Sequence, residues 1–305
     1  MKALVTGGAG FIGSHLCEAL LKRKYKVVCF DNLSAGKTEN ILSMRTNRNF
    51  SFIQGDVRDT EILDYAMKDA DVVFNNMASK KTVCERSPFE DCEVNAGGTL
   101  NVLLAMVNNG VNKIIHASTG SVYGEVVGKI TEFTALNPVS YYGVSKMAGE
   151  KYVAAFGDLH GIEYTILRYF HVYGERQDSS DSGGVVPIFI RKVLSGEPIL
   201  VHGTGNQERS FTYVGDVVYA NLCGLDNMDN GIYNCASGLK ISVNELSAMV
   251  RSKIADFGEV HGQRLFGDVD NFNIDNSLIC DDFNMEFTNF ENGLDKTIKW
   301  YVGNV

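Results

Sequence analysis

The sequence predicts an α/β protein: a doubly wound parallel sheet of the Rossmann type with a smaller C-terminal α/β substrate-binding region. Three observations predict it. Short apolar strands alternate with helix-like stretches through the first half of the chain. Those strands are nearly continuous apolar runs, as expected of a parallel sheet covered on both faces. A glycine-rich turn, Gly8-x-Gly10-x-x-Gly13, joins the first strand to the first helix.

The elements follow in order. KALVT (2–6) is the first strand, and HLCEALLKR (15–23) reads as the helix after the turn. In this strand–turn–helix context the glycines let the backbone approach a pyrophosphate, and the helix N-terminus supplies N–H donors and partial positive charge. Gly7 adds a second glycine register. The second strand, KVVCF, leads into Asp31. A carboxylate there accepts hydrogen bonds from a ribose 2′-hydroxyl and repels a 2′-phosphate, which favours NAD over NADP. FSFIQGD, DVVFNNMA and KIIHAST are the next strands, with helices at 60–69 and 90–109. Right-handed crossovers put the segments after each strand, GGAG, GD, NNMAS and HASTGS, along one crevice.

Near residue 168 the texture changes. The sequence divides into a dinucleotide-binding unit over 1–168 and a substrate-binding region over 169–305, with later segments such as about 205–230 returning to the first unit. RQDSSDSGG (176–184) reads as a mobile loop over a site. PIFIRKVLSG is helix-like and PILVHG strand-like.

Composition excludes several functions. The 305 residues carry a net charge of −9, which disfavours nucleic acid and anionic membrane. No apolar run reaches the roughly 18–20 residues of a membrane span, and no signal-peptide pattern opens the chain. The seven cysteines are scattered without a C-x-x-C pair and read as reduced thiols of a cytoplasmic protein. The six histidines fall in no ligand spacing, so no metal site is expected.

SYYGVSKMAGEKYVAAF reads as a helix that places Tyr142 and Lys146 one turn apart on one face. An ammonium beside a phenol favours the phenolate and lowers the tyrosine pKa from about 10. That yields a general base for a sugar or alcohol hydroxyl. Ser118 and Thr119 end the preceding strand, where a hydroxyl can share the reacting proton with Tyr142.

Together the glycine turn, GDV (55–57), HASTGSVYG (116–124), YYGVSK (141–146) and LRYFHVYG (167–174) resemble the extended short-chain dehydrogenase/reductase family. Within it the chain is similar to the NAD-dependent nucleotide-sugar epimerases and dehydratases, of the UDP-glucose 4-epimerase type, from Ala3 to Trp300. The resemblance implies NAD as cofactor and assigns Thr119, Tyr142 and Lys146 to catalysis, Lys146 also holding the nicotinamide ribose. It implies Gly7, Gly10, Phe11, Ile12 and Gly13 at the pyrophosphate and Asp31 and Asn32 at the adenosine ribose. It implies Asp56 and Val57 beside adenine, Ala78 and Lys81 along the diphosphate, and Asn95 and Phe170 on the cofactor side.

For the substrate, the resemblance implies that Thr119 and Tyr142 face the sugar. His171 stands where the family carries an asparagine on the nucleotide diphosphate, and His202 where an aromatic ring stacks on the base. Arg209 matches the diphosphate clamp, for which a planar guanidinium is suited. Arg264 lies one residue before the usual arginine position, here Leu265, and Asp268 fits its position. Phe272 occupies a position that is small in relatives accepting N-acetyl sugars, which points to a plain hexose or a uronic acid. The resemblance also implies a homodimer packed through helix 90–109 and the Tyr142 helix.

Family dehydratases carry Asp-Glu or Ser-Glu where this chain has Gly120 and Ser121. Glycine moves no proton and serine is a poor base for a carbon acid. The expectation is therefore a UDP-hexose or UDP-uronic acid 4-epimerase. The alternatives are a 4,6-dehydratase or decarboxylase of the same family, a non-catalytic NAD(P)-binding sensor, which would lack Tyr142 or Lys146, and an NADPH-dependent reductase, which Asp31 opposes.

Overall fold

Runs of Val, Ile, Phe and Cys, apolar on both faces, build the centre of the molecule. The computed structural model describes residues 1–79, 81–264 and 273–304. Seven parallel strands form one sheet: β1 (Lys2–Thr6), β2 (Lys26–Asp31), β3 (Phe50–Gln54), β4 (Val72–Asn75), β5 (Lys113–Thr119), β6 (Glu163–Tyr169) and β7 (Gly231–Cys235). Their spatial order is β7-β6-β5-β4-β1-β2-β3. The order reverses between β1 and β4, so the ligand crevice opens beyond Thr6 and Asn75. The first five strands lie on the runs that the sequence marks as strands.

Both faces are covered. Helix α1 (Phe11–Lys22) contributes Leu16, Cys17 and Leu20 to one core layer. On the other face α2 (Thr60–Met67) and α3 (Gly98–Asn109) contribute Leu63, Met67, Val102, Leu103 and Met106. Asp59 caps α2 by accepting the N–H groups of Glu61 and Ile62. The predicted helix 90–109 is built in three pieces: Pro88–Asp91, a π-helical turn at Cys92–Gly97, and α3. Hydrophobic spacing alone does not reveal such a turn. Helix α4 (Tyr141–His160) starts at Ser140, whose side chain accepts the Gly143 N–H, and stops at Gly161 in the left-handed region, φ 69°.

The chain then leaves the sheet and returns to it. Helix α5 (Val185–Leu194) belongs to a second core with Phe211, Leu246, Val250 and Leu294. Helix α6 (Val214–Asp226) packs with α1 on the first core layer, and β7 adds the outer strand beside β6. Short strand pairs order the rest: Ile199–His202 runs parallel to Glu259–Gly262, and Glu208–Arg209 antiparallel to Ile241–Ser242. Among the described residues no helix is long and apolar enough to cross a membrane. No group of three or more His, Cys, Asp or Glu among them is placed to hold a metal ion.

Candidate active site

The glycine turn forms because nothing larger fits. A Cβ on Gly13 would lie 2.1 Å from the Gly7 carbonyl oxygen, and Gly7 itself has φ +64°. Asp31 holds the turn from below, accepting the Ala9 N–H at 2.9 Å and the Leu33 N–H at 2.8 Å. Burial pushes this carboxyl up from its ordinary range, against those backbone hydrogen bonds. Above it lies a cleft of about 310 Å³ lined by Gly7, Gly10, Phe11, Ile12, Gly13, Asp31, Asn32, Asp56, Val57 and Ala78. These predicted cofactor residues share one wall.

Arg58 is an addition at the same place. Its guanidinium grips Asp56 at 2.9 and 2.8 Å, and Asn32 donates to Asp56 at 2.8 Å. The Arg58 hydrogen bonds hold the Asp56 carboxyl well below the usual range. The D-x-R spacing at a strand end was the available signal. Lys81 opens the helix Lys81–Arg86, and its side chain lies outside the described residues.

The proton-transfer residues meet at the end of β5. The Thr119 hydroxyl hydrogen-bonds the Tyr142 phenol, and Thr119 also caps the next turn by accepting the Ser121 N–H at 3.2 Å. Lys146 is buried one turn along α4. The electrostatics differ from the sequence expectation. Burial pushes the Tyr142 phenol up to about 12, with Cys84 and Asp91 adding to it and the Thr119 hydrogen bond opposing. Burial also lowers Lys146 to about 8, opposed by the Glu150 and Asp91 carboxylates. The expected fall of the tyrosine pKa is therefore corrected: loss of solvent around the phenol, with Cys84 and Asp91 nearby, outweighs the Thr119 hydrogen bond. His116, buried on β5, is held well below its ordinary value by burial and by Lys146, so it is neutral.

A buried ion pair fixes this geometry. Arg168 on β6 meets Glu150 on α4 at 2.9 and 2.7 Å, and the Ser118 hydroxyl donates to the same carboxylate. Arg168 also donates to the Tyr123 hydroxyl at 2.6 Å. The strand carrying Thr119 and the helix carrying Tyr142 are thus tied through Glu150. Its place four residues after Lys146 was the only sign of this in the sequence.

Two predicted cofactor residues are engaged elsewhere. Asn95 is fully buried and accepts the Ser79 N–H at 2.9 Å, tying the loop after β4 to the π-turn. Phe170 is buried with Val122, Tyr123, Ile130 and Ala236. Its ring closes over Gly120, where an added Cβ would sit 2.2 Å from the ring edge.

Of the predicted substrate residues, His202 and Arg264 come together. Strand pairing puts His202 beside Gly262, His202 Nδ1 lies 3.0 Å from the Gln263 carbonyl, and Arg264 Cβ is 3.4 Å from where a Cβ on Gly203 would sit. Arg209 is buried on its short strand, donating to the Glu208 carbonyl at 2.7 Å. His171 takes a left-handed conformation, φ 39°, its carbonyl accepting the Thr212 N–H. Asp268 and Phe272 lie outside the described residues, as does Leu265.

Residues 3–236 match the NAD-dependent epimerase/dehydratase family. The chain belongs to that family. A Methanocaldococcus jannaschii protein carrying the provisional name UDP-glucose 4-epimerase is 42% identical over 262 residues, spanning 84% of this chain and 83% of its own. The UDP-glucose 4-epimerase of Thermotoga maritima, solved with UDP-glucose, superposes with a TM-score of 0.93 at 34% identity, covering 100% of this chain and 99% of that one. The UDP-glucuronic acid 4-epimerase of Bacillus cereus, solved with UDP-glucuronic acid and NAD, gives 0.92 at 30% identity, with 100% of both chains covered. As a member of the NAD-dependent epimerase/dehydratase family, this chain presents a fitting cradle for the cofactor: a turn closed to any Cβ at Gly13, backbone N–H groups at the start of α1, and a buried carboxylate at Asp31.

Proposed function

We propose that the protein is a nucleotide-sugar 4-epimerase that takes a UDP-hexose or UDP-uronic acid through a transient 4-keto sugar. The observation that carries this reading is the grouping of Thr119, Tyr142 and Lys146 where β5 ends and α4 begins, with Gly120 sealed under Phe170. A side chain at position 120 has no room, so an additional acid or base there is sterically refused.

NAD, when bound, supplies the hydride acceptor at C4 of the sugar and a positive charge near the Tyr142 phenol. Tyr142, as phenolate, takes the 4-hydroxyl proton, and Thr119 hydrogen-bonds the same oxygen. Lys146 holds its ammonium beside them and orients the cofactor ribose. Once the keto sugar has turned, the inversion would be completed by return of the hydride to the opposite face of C4, with Tyr142 giving the proton back to the 4-oxygen. Arg209 grips the diphosphate during that turn, with His171 beside it and His202 and Arg264 on the nucleotide. Asn95 and Phe170 serve the cofactor side by holding the walls of its site.

We read 1–168 as the NAD-binding unit and 169–305 as the substrate region, with later segments returning to the first. Exposed apolar residues on two neighbouring helical segments, Phe89, Leu104 and Val107 on one and Tyr141, Val144 and Tyr152 on the other, support a homodimer with a four-helix contact. The free state of all seven cysteines agrees with a reducing, cytoplasmic setting.

The test is incubation of the purified protein with a panel of nucleotide sugars and no added reductant, the products read by NMR. A C4-inverted product is expected. A 4-keto-6-deoxy product would overturn the reading, and turnover of N-acetylhexosamine substrates alone would overturn the assignment to a plain hexose or a uronic acid.

A further inference from the structure

Behind Tyr142 and Lys146 lies a buried polar chain that the proton-transfer scheme does not use. Asp91 is 1% exposed. It accepts from the Cys84 thiol at 2.8 Å and from Asn95 Nδ2 at 2.6 Å. Asn95 Nδ2 also donates to Ser145 Oγ at 3.0 Å, and Ser145 Oγ donates to the Tyr142 carbonyl oxygen at 3.1 Å. The links therefore run from a carboxylate in the interior to the first turn of α4. The π-turn makes this possible, because Asn95 within it reaches both ends, and such turns recur at functional positions. A buried carboxylate needs hydrogen bonds to persist, and here they come from groups that also touch the catalytic helix.

We infer that Asp91 is a positioning residue for the proton-transfer pair, fixing the Tyr142 turn through Asn95 and Ser145 and setting the charge balance between Tyr142 and Lys146. The inference rests on the epimerase reading.

Among the described residues the charged and titratable neighbours are few. Tyr142 faces Cys84, Asp91 and the Thr119 hydroxyl, and Lys146 faces Asp91, Glu150 and His116. Burial and Asp91 push the Cys84 thiol up to about 12, so it donates as a neutral group. His116 is neutral, and Glu150 is already engaged by Arg168. Asp91 is thus the carboxylate that acts on both members, raising each. Turnover needs Tyr142 deprotonated and Lys146 protonated at once, and since Lys146 titrates below Tyr142 the acid limb of the pH profile breaks at Lys146 and the alkaline limb at Tyr142.

The experiment uses the full chain loaded with NAD. Asp91→Asn should move both limbs of the kcat/KM profile to lower pH by about one unit. Asp91→Glu should bring them back. Ser145→Ala keeps the charge and breaks the link, so kcat should fall about tenfold with both limbs in place. A D91N profile that is lower in height but unmoved in pH would overturn the charge role. An S145A enzyme as fast as the parent would overturn the positioning role, and it serves if D91N does not fold. The Tyr142 ring resonance in ¹³C-labelled protein gives an arm independent of turnover: it should titrate at lower pH in D91N. An unchanged midpoint there sinks the inference even if the sugar panel shows that the epimerase reading itself is wrong.

Discussion

Burial and charge divide unequally between the two central side chains, and the division has consequences at the residue scale. Tyr142 sits at about 12 and Lys146 at about 8, both moved first by loss of solvent. Lys146 therefore carries its charge below pH 8 and gives it up above. Turnover should rise with pH up to about 8 and level there, since phenolate gained is then matched by ammonium lost, measured as the break in the acid limb of the kcat profile. A rate that goes on rising well beyond that pH would show that the ammonium is not needed. Tyr142→Phe removes the proton acceptor and leaves the cradle of Gly7, Gly13 and Asp31 untouched. It should cost about 10²–10⁴ in kcat while NAD remains bound, read from cofactor absorbance after gel filtration. Turnover close to the parent would identify another base.

One scale up, elements are held in register by polar groups that no single segment announces. Glu150 and Arg168 side chains are 2% and 3% exposed, and they tie α4 to β6. Because Ser118 shares the Glu150 carboxylate, the same pair also steadies β5 next to Thr119. Glu150→Gln leaves the Arg168 charge buried without its counter-charge, a change that typically costs about 3–5 kcal/mol. A lowered thermal midpoint together with a lowered kcat is expected. A variant as stable as the parent would show that Arg168 finds other compensation, for example from Tyr123. The contact of Phe170 with Gly120 is a second register device, packing the segment after β6 onto the turn after β5.

For the whole molecule, the exposed apolar residues of the segment 88–109 and of α4 are the feature that the sheet does not consume. Leu104 and Val144 are 47% and 49% exposed. In a homodimer built on them, Leu104→Glu with Val144→Lys should yield monomers in sedimentation equilibrium. The parent's thermal midpoint should rise with protein concentration, since assembly stabilises by mass action. A parent that sediments as a monomer at micromolar concentration refutes the contact. At this scale the fold itself was legible in advance. Each of the first five strands is a continuous local run, and the glycine turn is a local motif. The break in the predicted helix 90–109 and the pairing of β7 with β6 were less visible, because a π-turn and a distant strand pairing leave no periodic mark.

The order of residues alone determined the sheet type, the dinucleotide turn with its carboxylate at Asp31, and the one-turn spacing of Tyr142 and Lys146. All three are consequences of short-range spacing, which backbone geometry converts directly into shape. Tertiary structure alone decided the charge states of that pair, the closing of Phe170 over Gly120, and the link from Asp91 to the Tyr142 turn. Those depend on which groups lose water and which meet across the fold, and solvent exclusion is set by neighbours that are distant along the chain.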